Sequence, residues 1–232
     1  MTHLPLYLTT DHPCSYLPER RARNLVAEPR KITQTHYQSL LLQGFRRSGD
    51  HVYRPHCQGC KACQSLRVSS RDFRPSRSQR RSWQNNRDLR LQLRPMIPDR
   101  EHYQLFQRYV RHRHRDGGMD TISADDFFSF TASRWCSNAL WELRDGDNRL
   151  LCGAVVDHLT DGFSAVYSYF EPWAVRRTLG TLIILYQIEY AQRLGLPWVY
   201  LGYYIKNCHK MDYKARFRPH QRFNDGRWQW QD

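Results

Sequence analysis

The order of secondary-structure patterns between residues 139 and 202 constrains the fold of this 232-residue chain more than any other feature. Three segments with strand patterns come first: 139–144, 149–159 and 163–170. The turn DGDN (145–148) separates the first two. A strongly apolar helix (178–194) and a further strand (198–202) come next. A helix that joins two strands of one sheet almost always makes a right-handed crossover, so the strands near residues 167 and 200 are predicted to be parallel neighbours. The sequence therefore predicts a mixed sheet, with a cleft where these two strands diverge.

Shorter patterns predict the remaining elements. Helices are predicted over 33–43, 76–88 and 99–114, and Gly44 ends the first of them. A further helix is predicted to begin at Ser123, which resembles the start of a capping box with Asp126. Strands are predicted at Val52, 66–68 and 89–94. Pro95 and Pro98 bracket a predicted boundary between two domains, residues 1–95 with most of the cysteines and residues 96–232 with the mixed sheet. The predicted fold class is α+β.

The charge of the chain points to a nucleic-acid partner. Lysine and arginine number 36 against 22 acidic residues, which gives a formal charge of +14. Most of the excess is arginine, which pairs with phosphate through two hydrogen bonds. An acidic peptide or an anionic membrane surface is a weaker alternative.

Three basic runs carry much of this charge, and aromatic residues lie among them: 44–49, 77–87 and 111–119. Arginine beside aromatic rings suits contact with phosphates and stacking on unpaired bases, as at a single-stranded RNA end. For any single run, a solvated helix face explains the composition equally well. Together with the net charge, the three runs favour RNA.

The N-terminal residues MTHLPLYLTTDH have no basic segment and no apolar run of signal-peptide length. No later segment reaches the roughly 18 apolar residues that a membrane span requires. We therefore expect a cytoplasmic protein without a membrane partner.

Cys57, Cys60 and Cys63 are each separated by two residues, which is the spacing of thiolates that wrap around one metal centre. Three thiolates leave a tetrahedral ion or a cluster one ligand short, and Cys14 or His56 would complete the set. The alternative is that these are reduced thiols that fill a junction between a loop and a strand.

Two segments are candidates for the reaction site. In WAVRRTLGT (173–181), Arg176, Arg177 and Gly180 lie at a helix N-terminus, where free amides and the helix dipole favour a phosphate. This loop weakly resembles the pyrophosphate loop of acetyl-CoA-dependent N-acetyltransferases, and a plain helix cap explains it equally well.

The second segment, residues 199–223, leaves the C-terminal end of the last parallel strand, where ligand clefts occur. Tyr203, Lys206 and Tyr213 can donate hydrogen bonds to a developing oxyanion and are the predicted catalytic residues. The alternative is a basic amphipathic connection anchored by Met211 and Phe217.

Motifs along nearly the whole chain resemble those of the bacterial aspartate/glutamate leucyltransferases, relatives of the arginyl-tRNA–protein transferases. They are CSYLPER (14–20), GFRRSGDHVYRPHCQGCKACQSLRV (44–68), FRPSRSQRR (73–81), RHRDGGM (113–119), YSYFEP (167–172), TLGT (178–181) and YLGYYIKNCHKMDYKARFRP (200–219). The resemblance implies an N-terminal α/β family domain followed by an acetyltransferase-like, GNAT-like domain that uses aminoacyl-tRNA instead of acetyl-CoA. It also implies transfer of leucine from leucyl-tRNA to the N-terminal amine of proteins that begin with Asp or Glu, which marks them for degradation by the N-degron pathway.

This reaction assigns roles to further residues. The predicted tRNA-binding residues are Arg176, Arg177, Lys210, Lys214 and Arg216. An acceptor that begins with a carboxylate side chain calls for a basic residue in the cleft, and the candidates are Arg46, Arg47, Arg54 and Arg80.

Leucyl-tRNA is the implied co-substrate, and no organic cofactor is expected. Related eukaryotic arginyltransferases bind an iron–sulfur cluster through N-terminal cysteines, and Cys14, Cys57, Cys60 and Cys63 occupy the corresponding regions here. Their spacing differs from the eukaryotic pattern, so zinc or plain thiols stay open. Two other functions also stay open: an arginyl-tRNA-dependent transferase on the same scaffold, and a non-catalytic RNA-binding protein with a zinc module.

Overall fold

A computed structural model of the protein describes residues 4–97, 99–113 and 121–231. The α-helices in these residues are α1 (Gln34–Leu42), α2 (Arg77–Gln84), α3 (Arg100–Arg113), α4 (Ala124–Thr131) and α5 (Leu179–Arg193). The strands are β1 (Leu6–Leu8), β2 (His12–Pro13), β3 (Arg21–Ala22), β4 (Asn24–Ala27), β5 (Arg46–Ser48), β6 (His51–Pro55), β7 (Gln64–Ser69), β8 (Arg90–Pro95), β9 (Asn138–Arg144), β10 (Leu150–His158), β11 (Gly162–Phe170), β12 (Trp198–Tyr204), β13 (His220–Asn224) and β14 (Arg227–Gln231). Short 3-10 helices span Pro29–Lys31, Pro172–Arg177 and Asp212–Arg216.

An eight-stranded mixed sheet organises the molecule, in the order β14-β13-β7-β12-β11-β10-β9-β8. β11 and β12 are the parallel pair, and Gly162, Phe163 and Ser164 align with residues 198–200. The other neighbouring strands of this sheet are antiparallel. The predicted α+β class, the mixed sheet and the parallel pair are therefore confirmed.

Local chemistry explains where the predicted helices begin and end. The Thr33 side chain accepts a hydrogen bond from the backbone N–H of His36 at the start of α1, and Gly44 follows the helix with φ of +82°. Ser76 and the residue three positions later form a capping box at α2, and the Ser123 side chain accepts from Asp126 N at α4.

The sheet is covered on both faces. Leu182 of α5 packs in one apolar cluster with Val199 and Leu201 of β12, whereas Tyr200 belongs to a second cluster with Tyr37 of α1. Consecutive strand residues point to opposite faces, so α5 and α1 lie on opposite sides of the sheet. Helices α3 and α4 form a third cluster with β11.

The sheet also joins the two predicted domains. Its strands β7 and β8 come from the first 95 residues, and β7 lies between β12 and β13. The remaining N-terminal strands β1, β4, β6 and β5 form a separate four-stranded sheet. The division at residue 95 stays a prediction, and the main core draws on residues from both sides of it.

In the described part of the chain, none of the helices combines the length and the apolar character needed to cross a membrane. The basic run 111–119 lies largely outside the described residues, because only 111–113, at the end of α3, are described.

Candidate active site

A cleft opens in the middle of the main sheet, where β11 and β12 diverge as the sequence predicts. Their pairing ends at Ser164 and Tyr200, although the strands continue to Phe170 and Tyr204. Both strands contain an extra residue near this point, Val166 in β11 and Leu201 in β12, and such bulges bend a strand away from its neighbour. Residues 165–168 are consequently half-exposed in a central strand.

Arg46 of β5 lies at the base of this cleft. Its guanidinium donates to Ser164 Oγ at 3.0 Å and to the backbone oxygen of Ala165 at 2.5 Å, the first carbonyl beyond the paired part of β11. On the β12 side, a Cβ at Gly202 would lie 3.3 Å from Arg46 Nε, and Gly202 has φ of +80°. The close approach and the left-handed backbone both require glycine there.

Lys214 lies buried beside the end of β12, in the 3-10 helix 212–216. Its Nζ donates to the backbone oxygen of Tyr203 at 2.6 Å and contacts Met211 Sδ at 3.2 Å. Burial, assisted by the positive charge of Arg46, lowers the pKa of Lys214 to about 7. A substantial fraction of this amine is therefore neutral near pH 7. Lys214 is one of the predicted tRNA-binding residues, and the structure buries it.

The predicted catalytic Tyr203 is held by the backbone. Its hydroxyl donates to the carbonyl oxygens of Gly44 and Tyr53, at 3.3 and 3.1 Å, and burial raises its pKa well above the ordinary value. The proton of Tyr203 is thus engaged inside the protein, and Lys214 contacts the backbone oxygen of Tyr203, not its hydroxyl. A catalytic role of Tyr203 stays a prediction. Lys206 is exposed just beyond β12. Tyr213 is half-buried, and burial raises its pKa to about 12.

Aromatic residues pack together where the open end of β11 meets α3 and α4. The rings of Tyr109 and Phe170 are 4.9 Å apart, and the Arg113 guanidinium lies 5.8 and 6.0 Å from their centres. Tyr167 of β11 packs against Phe130 of α4 at 5.5 Å. The sequence analysis did not single out Tyr109 or Phe170, because periodicity does not reveal which helix end meets an opened strand.

Arg47, one of the four arginines predicted to bind the acceptor, is bound inside the protein instead. Its Nε lies 2.8 and 3.0 Å from the two carboxylate oxygens of Asp157, and both side chains are fully buried. The Tyr37 hydroxyl donates to the same carboxylate at 2.9 Å. Arg47 therefore ties the N-terminal layer to the sheet and is not available to an acceptor.

The other predicted acceptor residues differ in position. Arg54 of β6 is half-buried; it donates to the backbone oxygen of Gln43 at 2.8 Å and lies over the Phe45 ring. Like Arg46, it is close enough to Tyr203 to influence the pKa of that phenol. Arg80 is exposed on α2. This helix packs against α5, on the face of the main sheet opposite to α1. The structure therefore brings Arg46 and Arg54 together and leaves Arg80 apart.

The predicted tRNA-binding residues other than Lys214 lie at or near the surface. Arg176, Lys210 and Arg216 are exposed. Arg177 donates to Asp88 Oδ1 at 2.6 Å, which fixes the start of α5 against the turn before β8.

The cysteines do not fit the predicted metal site. Burial and the nearby sulfurs of Cys57, Cys14, Cys60 and Cys208 raise the pKa of Cys63 to about 12. Cys208 was not part of the prediction, because its proximity arises from the turn after β12. Across residues 4–97, 99–113 and 121–231, no three side chains of the metal-binding types are grouped around a common point. The described residues thus place five thiols in one region without forming a centre for a resident metal ion or cluster.

Comparison with known proteins adds the family. Residues 12–81 match the model "Arginine-tRNA-protein transferase, N terminus", and residues 101–224 match "Arginine-tRNA-protein transferase, C terminus". The chain belongs to the arginine-tRNA-protein transferase family. It is an aminoacyltransferase, as the resemblance implied.

Close relatives carry a more specific name. An aspartate/glutamate leucyltransferase of Nitrosococcus oceani is 51% identical over 223 residues, covering 96% of this chain and 94% of the relative. A protein of the same name from Pseudomonas fluorescens is 47% identical over 231 residues, covering 98% and 97% of the two chains. Among solved structures, L-PGS from Bacillus licheniformis is similar with a TM-score of 0.50 and 12% identity, covering 75% of this chain and 52% of that one. This last likeness concerns the fold alone, which is GNAT-like as expected.

Proposed function

We propose that this protein transfers leucine from leucyl-tRNA to the N-terminal amine of proteins that begin with Asp or Glu. The names of its relatives support the substrates. The observation that carries the proposal is the opened pair β11 and β12, with a buried lysine of lowered pKa at one side and arginines at its base. The product would be a substrate of N-degron degradation, and the reaction would take place in the cytoplasm, where charged tRNA is available.

The chemistry needs little beyond positioning and proton transfer. The acceptor nitrogen attacks the ester carbonyl of leucyl-tRNA, a C–N bond forms, and the C–O bond to the terminal ribose breaks. The nitrogen loses a proton and the ribose oxygen gains one. Because the ester is already activated, a covalent enzyme intermediate is not required.

Lys214 is our candidate for the proton acceptor. A base is most effective when its pKa lies near the working pH, and burial gives Lys214 a pKa of about 7. Its hydrogen bond to the Tyr203 carbonyl fixes the amine at the end of β12. Beyond Ser164, β11 remains paired with β10 but no longer with β12, so those of its backbone N–H groups that point toward β12 are candidates to donate to the oxyanion.

Arg46 and Arg54 are our candidates for reading the acceptor carboxylate. Arg46 contacts β11 just beyond its paired part, and both arginines are close enough to Tyr203 of β12 to influence its pKa. A charged hydrogen bond to a carboxylate contributes about 1.5–3 kcal/mol, enough to separate Asp from Asn at the acceptor position by roughly 10- to 150-fold.

The aromatic cluster at the open end of β11 suits a leucyl side chain. Tyr109 and Phe170 offer apolar ring surface, and the Arg113 guanidinium above them would repel the cation of an arginyl donor. Glu171, the acidic residue that follows Phe170, is occupied by Arg108. These contacts favour leucine over arginine as the transferred residue.

A transfer assay tests the proposal directly. Radiolabelled leucyl-tRNA and arginyl-tRNA are each incubated with matched peptides that begin with Asp, Glu, Asn or Gln. We expect label to pass from leucyl-tRNA to the Asp and Glu peptides only. Lys214→Met should abolish most of this transfer, and Lys31→Met, at an exposed position, serves as the matched control. Absence of transfer to any peptide, with intact leucyl-tRNA recovered, would rule the proposal out.

A further inference from the structure

The connection between β11 and α5 exposes two large apolar side chains. This connection is the 3-10 helix Pro172–Arg177, and within it Trp173 and Val175 are each 70% exposed. Ala174, between them, is buried in the main core. The buried alanine therefore directs its two neighbours outward, into solvent.

The backbone of this connection is fixed at both ends. At its start, Arg108 of α3 donates to the Glu171 carboxylate, with Nε 3.0 Å from Oε1. At its end, Arg177 is paired with Asp88, and the Asn86 side chain donates to the Arg177 backbone oxygen at 2.8 Å. Because the backbone that carries the exposed indole ring is already fixed, less conformational entropy is lost when a ligand binds to the ring.

The surroundings of Trp173 select the class of ligand. The ring lies three residues beyond Phe170, at the end of the strand that borders the cleft. Arg176 lies in the same short helix, and its side chain is exposed. Among the described residues, no acidic side chain forms an ion pair with it. An indole face beside a free guanidinium binds unpaired bases and their phosphates, because every base has a face to stack and every nucleotide a negative charge.

We infer that Trp173 stacks on an unpaired base at the 3′ end of the donor tRNA, while Arg176 contacts a neighbouring phosphate and Val175 covers the sugar. This inference rests on the proposed function, since leucyl-tRNA brings a single-stranded end to the mouth of the cleft. The net charge of +14 favours a polyanion over an apolar protein partner at this surface. The stacked base and the proposed transfer site then lie at opposite ends of β11's open segment.

Binding measurements with uncharged tRNA test this contact independently of transfer. Wild type, Trp173→Ala and Trp173→Phe are compared on intact tRNA and on the same tRNA without its single-stranded 3′ nucleotides. Base–aromatic stacking of ~1–3 kcal/mol predicts that Trp173→Ala weakens binding of intact tRNA by about 5- to 150-fold, and Trp173→Phe much less. Shortened tRNA should bind to wild type and to Trp173→Ala equally well. Trp230→Ala, which removes an exposed tryptophan of β14, is the matched control and should bind both tRNAs as wild type does.

The salt dependence separates stacking from charge. Arg176→Gln should lower the slope of log affinity against log salt by about 0.7, the contribution of one phosphate contact to a single strand, and Trp173→Ala should leave the slope unchanged. If Trp173→Ala weakens intact and shortened tRNA equally, or weakens neither, the inference is overturned. If wild type shows the predicted binding pattern and transfers no leucine, the proposed function fails while this contact stands.

Discussion

Replacing Lys214 with methionine tests whether a buried neutral amine lies beside the cleft. The pKa of Lys214 is about 7 in the folded protein, against 10.5 for an ordinary lysine. Unfolding therefore takes up a proton between these values, so the stability of wild type rises with pH over this interval. The penalty of the buried amine is ~5 kcal/mol below pH 7 and disappears above pH 10.5.

Methionine has a similar length and no proton to bind. Between pH 6 and pH 9, we expect the free energy of unfolding of wild type to rise by roughly 2–3 kcal/mol relative to Lys214→Met. Urea unfolding at several pH values measures this difference. Lys31→Met, at an exposed position, should show no such trend.

The same substitution predicts a change in the pH dependence of transfer. The acceptor amine, with an ordinary pKa of about 7.7–8.0, and Lys214 must both be neutral, so log kcat/KM for wild type should fall with a slope of two below pH 7. Lys214→Met should be about 10²- to 10⁴-fold slower, with a slope of one. A stability difference that does not vary with pH, together with an unchanged slope, would refute the assignment of Lys214.

Four other predictions concern the surrounding structure. Arg47→Met leaves the Asp157 carboxylate buried without a countercharge and should lower the free energy of unfolding by about 3–5 kcal/mol in urea titrations. Gly162→Ala places a Cβ 1.9 Å from the Trp198 carbonyl oxygen, so it should disrupt the parallel pair and lower the melting temperature, which calorimetry would detect. Arg54→Gln should lower kcat/KM about 10- to 150-fold for a peptide beginning with Asp and much less for one beginning with Asn, as competition assays would show. Treatment with a chelator should leave the circular dichroism spectrum and the transfer rate unchanged, because the described cysteines do not form a metal centre.

Local sequence patterns predicted most of the sheet. Alternation and turn residues located β8 to β12, and the crossover rule located the parallel pair and its cleft. The hairpin of β13 and β14 was missed, although Asp225–Gly226 between two alternating segments is a hairpin signal. The strands β1 to β4 have two to four residues each, too few for a period to be recognised.

The sequence predicted which residues lie near the site better than it predicted what each of them does. Arg46 and Arg47 are adjacent, and the sequence treats them alike, whereas the structure places one in the cleft and the other in a buried ion pair. Lys214 looks like any other basic residue of its segment, because its burial depends on how the chain returns after β12. Roles that depend on long-range packing, such as the thiol of Cys208 near Cys63, have no local signal.

The position of β7 between β12 and β13 has a consequence for biosynthesis. β7 is made early, and both of its neighbours in the sheet are made more than 120 residues later. A nascent chain on the ribosome must therefore keep this strand, with its core residues Leu66 and Val68, unpaired until nearly all of translation is complete. Expression from two separate gene fragments split at residue 95 should yield insoluble halves, and co-expression of both should restore the assembled enzyme.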